Sequence, residues 1–350
     1  MRWVLFRVRN NRTLLALVSA LVTVLSLLTS TSARADSSNI RIAIAYDIGG
    51  RGDNGVNDAV SAGITTAMNR FNLSPLQIRE ITTLGTESDR EARLTFLAQA
   101  GYNLIIAVGD GYETALKTIA PTYATIQFAI IGSANVPLIN VTNIDFAENQ
   151  GAYLAGVLAA KSSVSGKVGF IGDASPTNAQ NLKAFTAGVA SISKKVVVSP
   201  TLLTAQSNSV AAIRPIIVRM VAAKVDQLFS VWNSTGDVLT SALALNTTKH
   251  PVQLIGLSPV QYFLRAPNAH TVVAAAVTED YARATVDLIS AAIRGNTLSD
   301  ILDSNAGVYG HRYTLGDGGM GFALYSRSAV AARSAIVSAE SLLRAGKAKL

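Results

Sequence analysis

Carboxylate side chains follow two apolar segments of strand length in the first third of this sequence. Asp47 comes directly after the run at residues 40–46, and Asp110 follows Leu104–Val108 after a single glycine. A carboxylate at the end of a buried strand can accept hydrogen bonds from the hydroxyl and amino groups of a small polar molecule. We therefore expect these positions to hold a ligand.

Other polar and aromatic residues occupy comparable positions. Asn57 lies in the helix-like stretch after the glycine-rich turn at 49–52, and Tyr112 follows Asp110. Trp232 and Asn233 follow the strand-like segment at 227–231. An aromatic ring at a strand end can stack on a flat heterocycle. Capping is the structural alternative for the polar residues, and core packing is the alternative for Trp232.

The residues needed for catalysis or metal binding are not present in recognisable patterns. The chain has no cysteine, and its three histidines (His250, His270 and His311) are far apart in sequence. Neither HExxH nor GxSxG occurs, so we predict no enzyme, no metal site and no cofactor. One alternative is a nicotinamide-type enzyme, because residues 50–55 spell GxGxxG. In that fingerprint the first glycine normally follows the strand directly, whereas here residues 47–49 lie between the strand and Gly50.

The charge of the chain is concentrated in its first 35 residues. The formal net charge of +8 falls to +3 when the five arginines of this segment, which contains no acid, are set aside. No basic block remains, so nucleic acid is not an expected partner. The segment has the order of a secretory signal, with arginines, an apolar run at 14–28 and Ala-Arg-Ala at 33–35.

Cleavage of residues 1–35 predicts an extracytoplasmic protein, either periplasmic or secreted. The alternative is an uncleaved N-terminal anchor, although the apolar run is short for a membrane span. No cysteine follows the run, so lipid attachment at such a residue is excluded.

Apolar strand-like segments alternate with helix-like segments along the rest of the chain. This pattern predicts an α/β protein with parallel sheets flanked by helices. The alternation loosens at 132–145, where we expect a crossover, and then starts again. We therefore predict two lobes that close on a ligand, the first from 36–145 plus 260–305 and the second from 146–259 plus 306–350. The chain would cross between them near Asp145, Pro259 and Asn305.

Several motifs resemble the basic membrane protein family, the PnrA-like substrate-binding proteins of ABC importers. Asp47-Ile48-Gly49-Gly50, with Asp53 and Asn57, is similar to the DxGGxxDxSFN of that family. The segments at 103–109, 128–131, 150–156, 166–172 and 185–188 match later family motifs in order. The resemblance implies a type I periplasmic-binding-protein fold that binds a nucleoside and delivers it to a membrane permease.

Some positions depart from the family pattern. Ser258 stands where the family has a ribose-binding aspartate, and Thr278 stands where it has a lysine. Val56 replaces a stacking phenylalanine. By resemblance, Ser258 and Thr278 join the predicted ligand set, and the ligand is expected to be nucleoside-like. A ligand-sensing or receptor-docking module of the same fold, without a transport role, is the alternative function.

Overall fold

A computed structural model describes residues 39–53, 55–203, 210–231, 235–246, 251–257 and 268–350. Its strands form two sheets. Strands of the first sheet are β1 (Ile42–Tyr46), β2 (Ile78–Thr82), β3 (Leu104–Val108), β4 (Gln127–Ile131), β5 (Val141–Phe146), β11 (Asp300–Asp303) and β12 (Val308–Tyr313). Strands of the second sheet are β6 (Lys167–Asp173), β7 (Val197–Leu203), β8 (Gln227–Ser230), β9 (Gln253–Leu257), β10 (Val273–Glu279) and β13 (Met320–Leu324).

Helices flank both sheets. Those described are α1 (Val56–Phe71), α2 (Glu87–Gln99), α3 (Glu113–Ile119), α4 (Glu148–Ser162), α5 (Pro176–Ile192), α6 (Val210–Ala222), α7 (Thr235–Leu245), α8 (Tyr281–Ile293), α9 (Arg327–Ala331) and α10 (Arg333–Arg344). The predicted two-lobed α/β architecture is thereby confirmed.

Each sheet is parallel except at one edge. The first has the order β11-β12-β5-β4-β3-β1-β2, and only its β11–β12 pair is antiparallel. In the second sheet, β13-β10-β9-β8-β6-β7, the β10–β13 pair is antiparallel. The central strands β1 and β3 are wholly buried, as expected for parallel strands that are covered on both faces.

Three predictions about the lobes are wrong. Residues 132–145 contain β5, which pairs with β4 and β12. The strand β10, which we assigned to the first lobe, pairs with β9 in the second sheet. Conversely, β12, assigned to the second lobe, pairs with β5 in the first. Both halves alternate in the same way, so the sequence pattern does not reveal which strand joins which sheet.

The chain passes between the lobes at three neighbouring places. These lie at Ala147 before α4, at Asp280 between β10 and α8, and at residues 314–319 between β12 and β13. The Ala147 amide donates to the Tyr313 carbonyl (2.8 Å), and the Asp280 amide donates to the Gly319 carbonyl (2.9 Å). The later crossings therefore lie away from the predicted Pro259 and Asn305. Pro259 itself is outside the described residues.

Helix α4 lies in the interior of the second lobe. Residues 151–160 of this helix are all buried, so it is covered on every side. It packs on α5 through a glycine from each helix. A Cβ on Gly156 would overlap the Phe185 carbonyl oxygen, and one on Gly188 would overlap the Tyr153 carbonyl oxygen. Only glycine allows the two backbones to approach so closely.

Candidate ligand-binding cleft

Asp47 begins the turn that follows β1 and is held by an arginine. Its carbonyl accepts from the Gly50 amide (3.1 Å), which closes the turn. Its Oδ1 accepts from Nη2 of Arg90 in α2 at 2.9 Å. Arg90 Nε is buried and has no partner among the described residues. Sequence reasoning missed this arginine, because it lies 43 residues away on another element.

Asn57 is buried in the first turn of α1, beneath the loop that begins with Asp47. Its amide group donates to the carbonyls of Asp47 and Ile48, each at 3.4 Å. Its Oδ1 is buried without a partner in the described part of the chain. The helix cap is instead supplied by Asp53, which accepts from the amides of Gly55 and Asn57. Asn57 is therefore left with a free acceptor beside Asp47.

Asp110 lies next to Asp47, because β3 is the neighbour of β1. Gly109 has a φ of +95°, and a Cβ there would lie 3.1 Å from Asp47 Oδ2. A glycine at this position thus lets the two strand ends meet. Although Asp110 still reaches water, partial burial and then the charges of Glu113 and Asp47 raise its pKa. The charge of Asp173 in the second lobe adds to this increase of the pKa of Asp110.

Tyr112 lies in the core and not on the cleft. Its side chain is fully buried, and its hydroxyl donates to the Tyr46 carbonyl at 3.1 Å. Burial and the nearby Asp47 charge raise the pKa of this tyrosine above its usual range. Because the ring is covered by protein, the prediction that Tyr112 contacts a ligand is corrected to a structural role beneath the Asp47 turn.

A chain of polar side chains that sequence reasoning missed runs along the second lobe. Asp173, at the end of β6, accepts from the amides of Ser175 (2.8 Å) and of the Asn178 side chain (2.9 Å). Asn181 donates to Asn178 at 3.1 Å and to Glu148 at 2.7 Å. The sequence did contain a signal for Asp173, because this carboxylate lies at the end of a strand-like segment, a position comparable to that of Asp47.

Two carboxylates, the partly buried Glu148 and the buried Glu279, lie where the chain crosses between the lobes. Glu148 begins α4, and Glu279 ends β10. Burial, then the charges of Asp145 and Asp173, raises the pKa of Glu148 to about 7, although its hydrogen bond from Asn181 opposes this. Burial and the Glu148 charge raise the pKa of Glu279 to about 8. Tyr281 donates to Glu279 Oε2 at 2.6 Å.

The remaining predicted residues are only partly described. Thr278 is half-buried in β10, opposite Gly321 of β13, and directly precedes Glu279. Trp232, Asn233 and Ser258 lie outside the described residues. The structure thus brings together Asp47, Asn57 and Asp110 in the first lobe, with Asp173, Glu148 and Glu279 opposite or beside them.

Comparison with known proteins agrees with this architecture. A model of the PnrA-like substrate-binding proteins of ABC transporters matches residues 40–309. The chain belongs to this family. It is therefore a substrate-binding protein and not an enzyme, and the resemblance inferred from its motifs is confirmed. Members of this family are described as substrate-binding proteins of ABC transporters.

The similarity to individual relatives is partial. The chain is 28% identical over 232 residues to the nucleoside-binding protein BmpA of Lactococcus lactis, covering 65% of this chain and 66% of the relative. It is 32% identical over 108 residues to a CD4+ T-cell-stimulating antigen of Listeria monocytogenes, covering 31% and 30%. The chain therefore spans less than two thirds of the length of either relative.

A solved structure shares the fold. An ABC transporter solute-binding protein from Aeropyrum pernix superposes with a TM-score of 0.68, covering 88% of this chain and 92% of that protein. Its 17% sequence identity supports the fold alone. Among the helices that the structure describes, none is both long and apolar enough to cross a membrane.

Proposed function

We propose that this protein is the extracytoplasmic receptor of an ABC importer and that it binds a nucleoside-like molecule between its lobes. The observation that carries the proposal is the meeting of strand ends from both sheets. Asp47 and Asp110 come from the first sheet, and Asp173 comes from the second. In open parallel sheets, ligands bind outside the carboxyl ends of the strands.

The first lobe offers groups suited to hydroxyl and ring-nitrogen donors. Asn57 has a buried acceptor without a partner, and the carboxylate of Asp47 is oriented by Arg90. Arg90 Nε adds a donor that is also unpaired. A ligand that satisfies these groups gains affinity because buried polar atoms without partners are costly. The name of the Lactococcus lactis relative supports a nucleoside as the ligand class.

The experiment is calorimetric titration of residues 36–350 with purine and pyrimidine nucleosides, free bases and ribose. We expect saturable binding of one nucleoside class. Asp47→Ala should weaken that binding at least tenfold, because loss of a charged hydrogen-bond partner costs about 1.5–3 kcal/mol. Asp303→Ala, at an exposed position at the end of β11, is the matched control and should bind normally.

Absence of heat and of a melting shift with every nucleoside and base would end the nucleoside proposal. Delivery to a permease needs a separate test, which is uptake of the labelled ligand by cells of the source organism that lack the gene. Normal uptake by these cells would favour a sensing role over transport.

A further inference from the structure

Carboxylates outnumber cations where the two lobes meet. Six of them raise one another's pKa or lie within that group: Asp47, Asp110, Asp145, Glu148, Asp173 and Glu279. Glu113 also acts on Asp110, but it is paired with Lys117 (3.8 Å). Two arginines reach this set, and each is already paired. Arg90 binds Asp47 at 2.9 Å, and Arg312 binds Asp145 at 2.6 Å. In the described part of the chain, no lysine or arginine forms an ion pair with the other four.

One carboxylate oxygen of Glu279 has no hydrogen-bond donor among the described residues. Its side chain is nine-tenths buried (9% exposed), and Oε2 accepts from Tyr281. Oε1 is buried and has no partner among the described residues. The charged groups that face Glu279 are Glu148 on α4 and Asp145 at the end of β5, which are both acids. Among the described residues, Oε1 of Glu279 therefore has no donor, and the charged groups that act on it are acids.

The neighbouring Glu148 is in a similar position. Its single described hydrogen bond is from Asn181 on α5, and the other charged groups that act on it are Asp145, Asp173 and Asp110. Buried carboxylates that face only acids are stabilised by a positive charge placed between them. Arg90 and Arg312 are already paired with Asp47 and Asp145, so a positive charge for Glu148 and Glu279 has to come from a ligand.

We propose that the Glu148–Glu279 end of the cleft binds a positively charged nitrogen that donates hydrogen bonds, so that the ligand is an organic cation. A protonated amine or amidine on a flat or nucleoside-like molecule has the required chemistry. This inference rests on the proposed function, since it names the chemical class of ligand for the same cleft. Under this inference, the protein selects its ligand by positive charge and not by ring shape alone.

A metal ion does not meet these requirements. Within the described ranges, no three carboxylates or histidines come close enough together to enclose a metal. Divalent cations require several oxygen ligands at short, regular distances. A nitrogen cation needs only one or two carboxylates as hydrogen-bond acceptors.

The test compares probes that differ in charge but hardly in shape. 1-Methyladenosine is protonated at neutral pH, whereas its isomer N6-methyladenosine is neutral. Benzamidine and benzamide form a second such pair without a ribose. Binding is measured by calorimetry and by melting shift at pH 7.5. We expect the cationic member of at least one pair to bind at least tenfold more tightly than its neutral partner.

Substitution of the two glutamates tests whether they cause the preference for the cationic probe. Glu279→Gln should bring the affinity ratio of that pair close to one, and Glu148→Gln is the second variant if the first does not fold. Glu340→Gln, which removes the same charge from α10, is the matched control and should keep the wild-type ratio. For benzamidine and benzamide, whose charges do not change in this range, the cationic preference should also grow from pH 6 to pH 9, as the two glutamates lose their protons.

The outcomes separate this inference from the proposed function. Binding of neutral nucleosides with no gain from a positive charge overturns the inference and leaves the nucleoside receptor intact. Binding of benzamidine without any nucleoside supports the inference and removes the nucleoside assignment. No response to any probe counts against both. A cationic preference that survives both Glu279→Gln and Glu148→Gln overturns the assignment of that preference to the two glutamates.

Discussion

At the scale of single residues, the surroundings of each side chain decide its role. Asp47 directly follows one buried strand and Glu279 ends another, yet Asp47 is held by Arg90 whereas the charged groups that act on Glu279 are acids. Tyr112 is fully buried, Tyr281 is partly buried, and both donate a hydrogen bond. Tyr112 supports a backbone carbonyl beneath the cleft, and Tyr281 orients the carboxylate of Glu279. Residue type alone predicts neither difference.

The structural role of Tyr112 can be checked with Tyr112→Phe. Removing its hydroxyl should lower the free energy of unfolding by about 0.5–1.5 kcal/mol. The lower end is expected because the Tyr46 carbonyl still accepts from the Thr83 amide. Denaturant titration measures the stability, and calorimetry should show unchanged ligand affinity. Tyr309→Phe, on a partly exposed side chain, is the control. A tenfold loss of affinity in Tyr112→Phe would restore the predicted ligand contact.

At the scale of elements, helices hold the strand ends in place on both sides of the cleft. α4 begins with Glu148 and is clamped to α5, which carries Asn178 and Asn181. α2 carries Arg90 to Asp47. A shift of α5 relative to α4 would therefore break the hydrogen bond between Asn181 and Glu148. The glycine contact between these helices fixes their separation.

Substitution of Gly188 tests this contact. Gly188→Ala places a methyl group against the Tyr153 carbonyl oxygen, so the helices must move apart. Overpacking of this kind typically costs about 1–3 kcal/mol. We expect a lower melting temperature and weaker ligand binding. Ala190→Ser adds one atom on the exposed face of the same helix and should leave both unchanged. Wild-type stability in Gly188→Ala would show that the helices yield easily.

At the scale of the whole molecule, the three crossings between the lobes lie side by side. Rings from all three pack together, with Phe146 lying 4.7 Å from Tyr281 and 5.6 Å from Tyr313 between centroids. Glu148 and Glu279 adjoin this region. The proton content of the two glutamates is therefore linked to the stability of both lobes.

This linkage predicts a loss of stability at alkaline pH. Both glutamates have a folded-state pKa above 4.5, the ordinary value, so the folded state binds more protons than the unfolded state in this window. Their contribution is complete below pH 4.5 and disappears as the pH rises through about 7 and 8. The melting temperature of the ligand-free protein should fall between pH 5 and 9.

Glu279→Gln should flatten that decline, because the amide cannot ionise. Each pKa unit of difference is worth about 1.4 kcal/mol, so the change is measurable by calorimetry. Glu340→Gln should retain the wild-type slope. A slope that is equally steep in Glu279→Gln would assign the pH dependence to other groups.

The sequence by itself determined the α/β class, the family and the positions of most strands, because buried parallel strands are continuous apolar runs between turns. It also placed Asp47 and Asp110 at strand ends. It failed for β5, where Asn143 is fully buried and bonds to the backbone of residues 136 and 309. A buried polar residue satisfied by distant backbone groups gives no apolar signal.

Only the tertiary structure decided which strands share a sheet, where the chain crosses between lobes and which acids meet. Glu148 and Glu279 are 131 positions apart, and each looks like an ordinary surface residue at a helix start or a strand end. Their burial and mutual repulsion arise because β10 joins the second sheet beside α4. Local propensity acts over a few residues, whereas pairing across the chain depends on how the whole core packs.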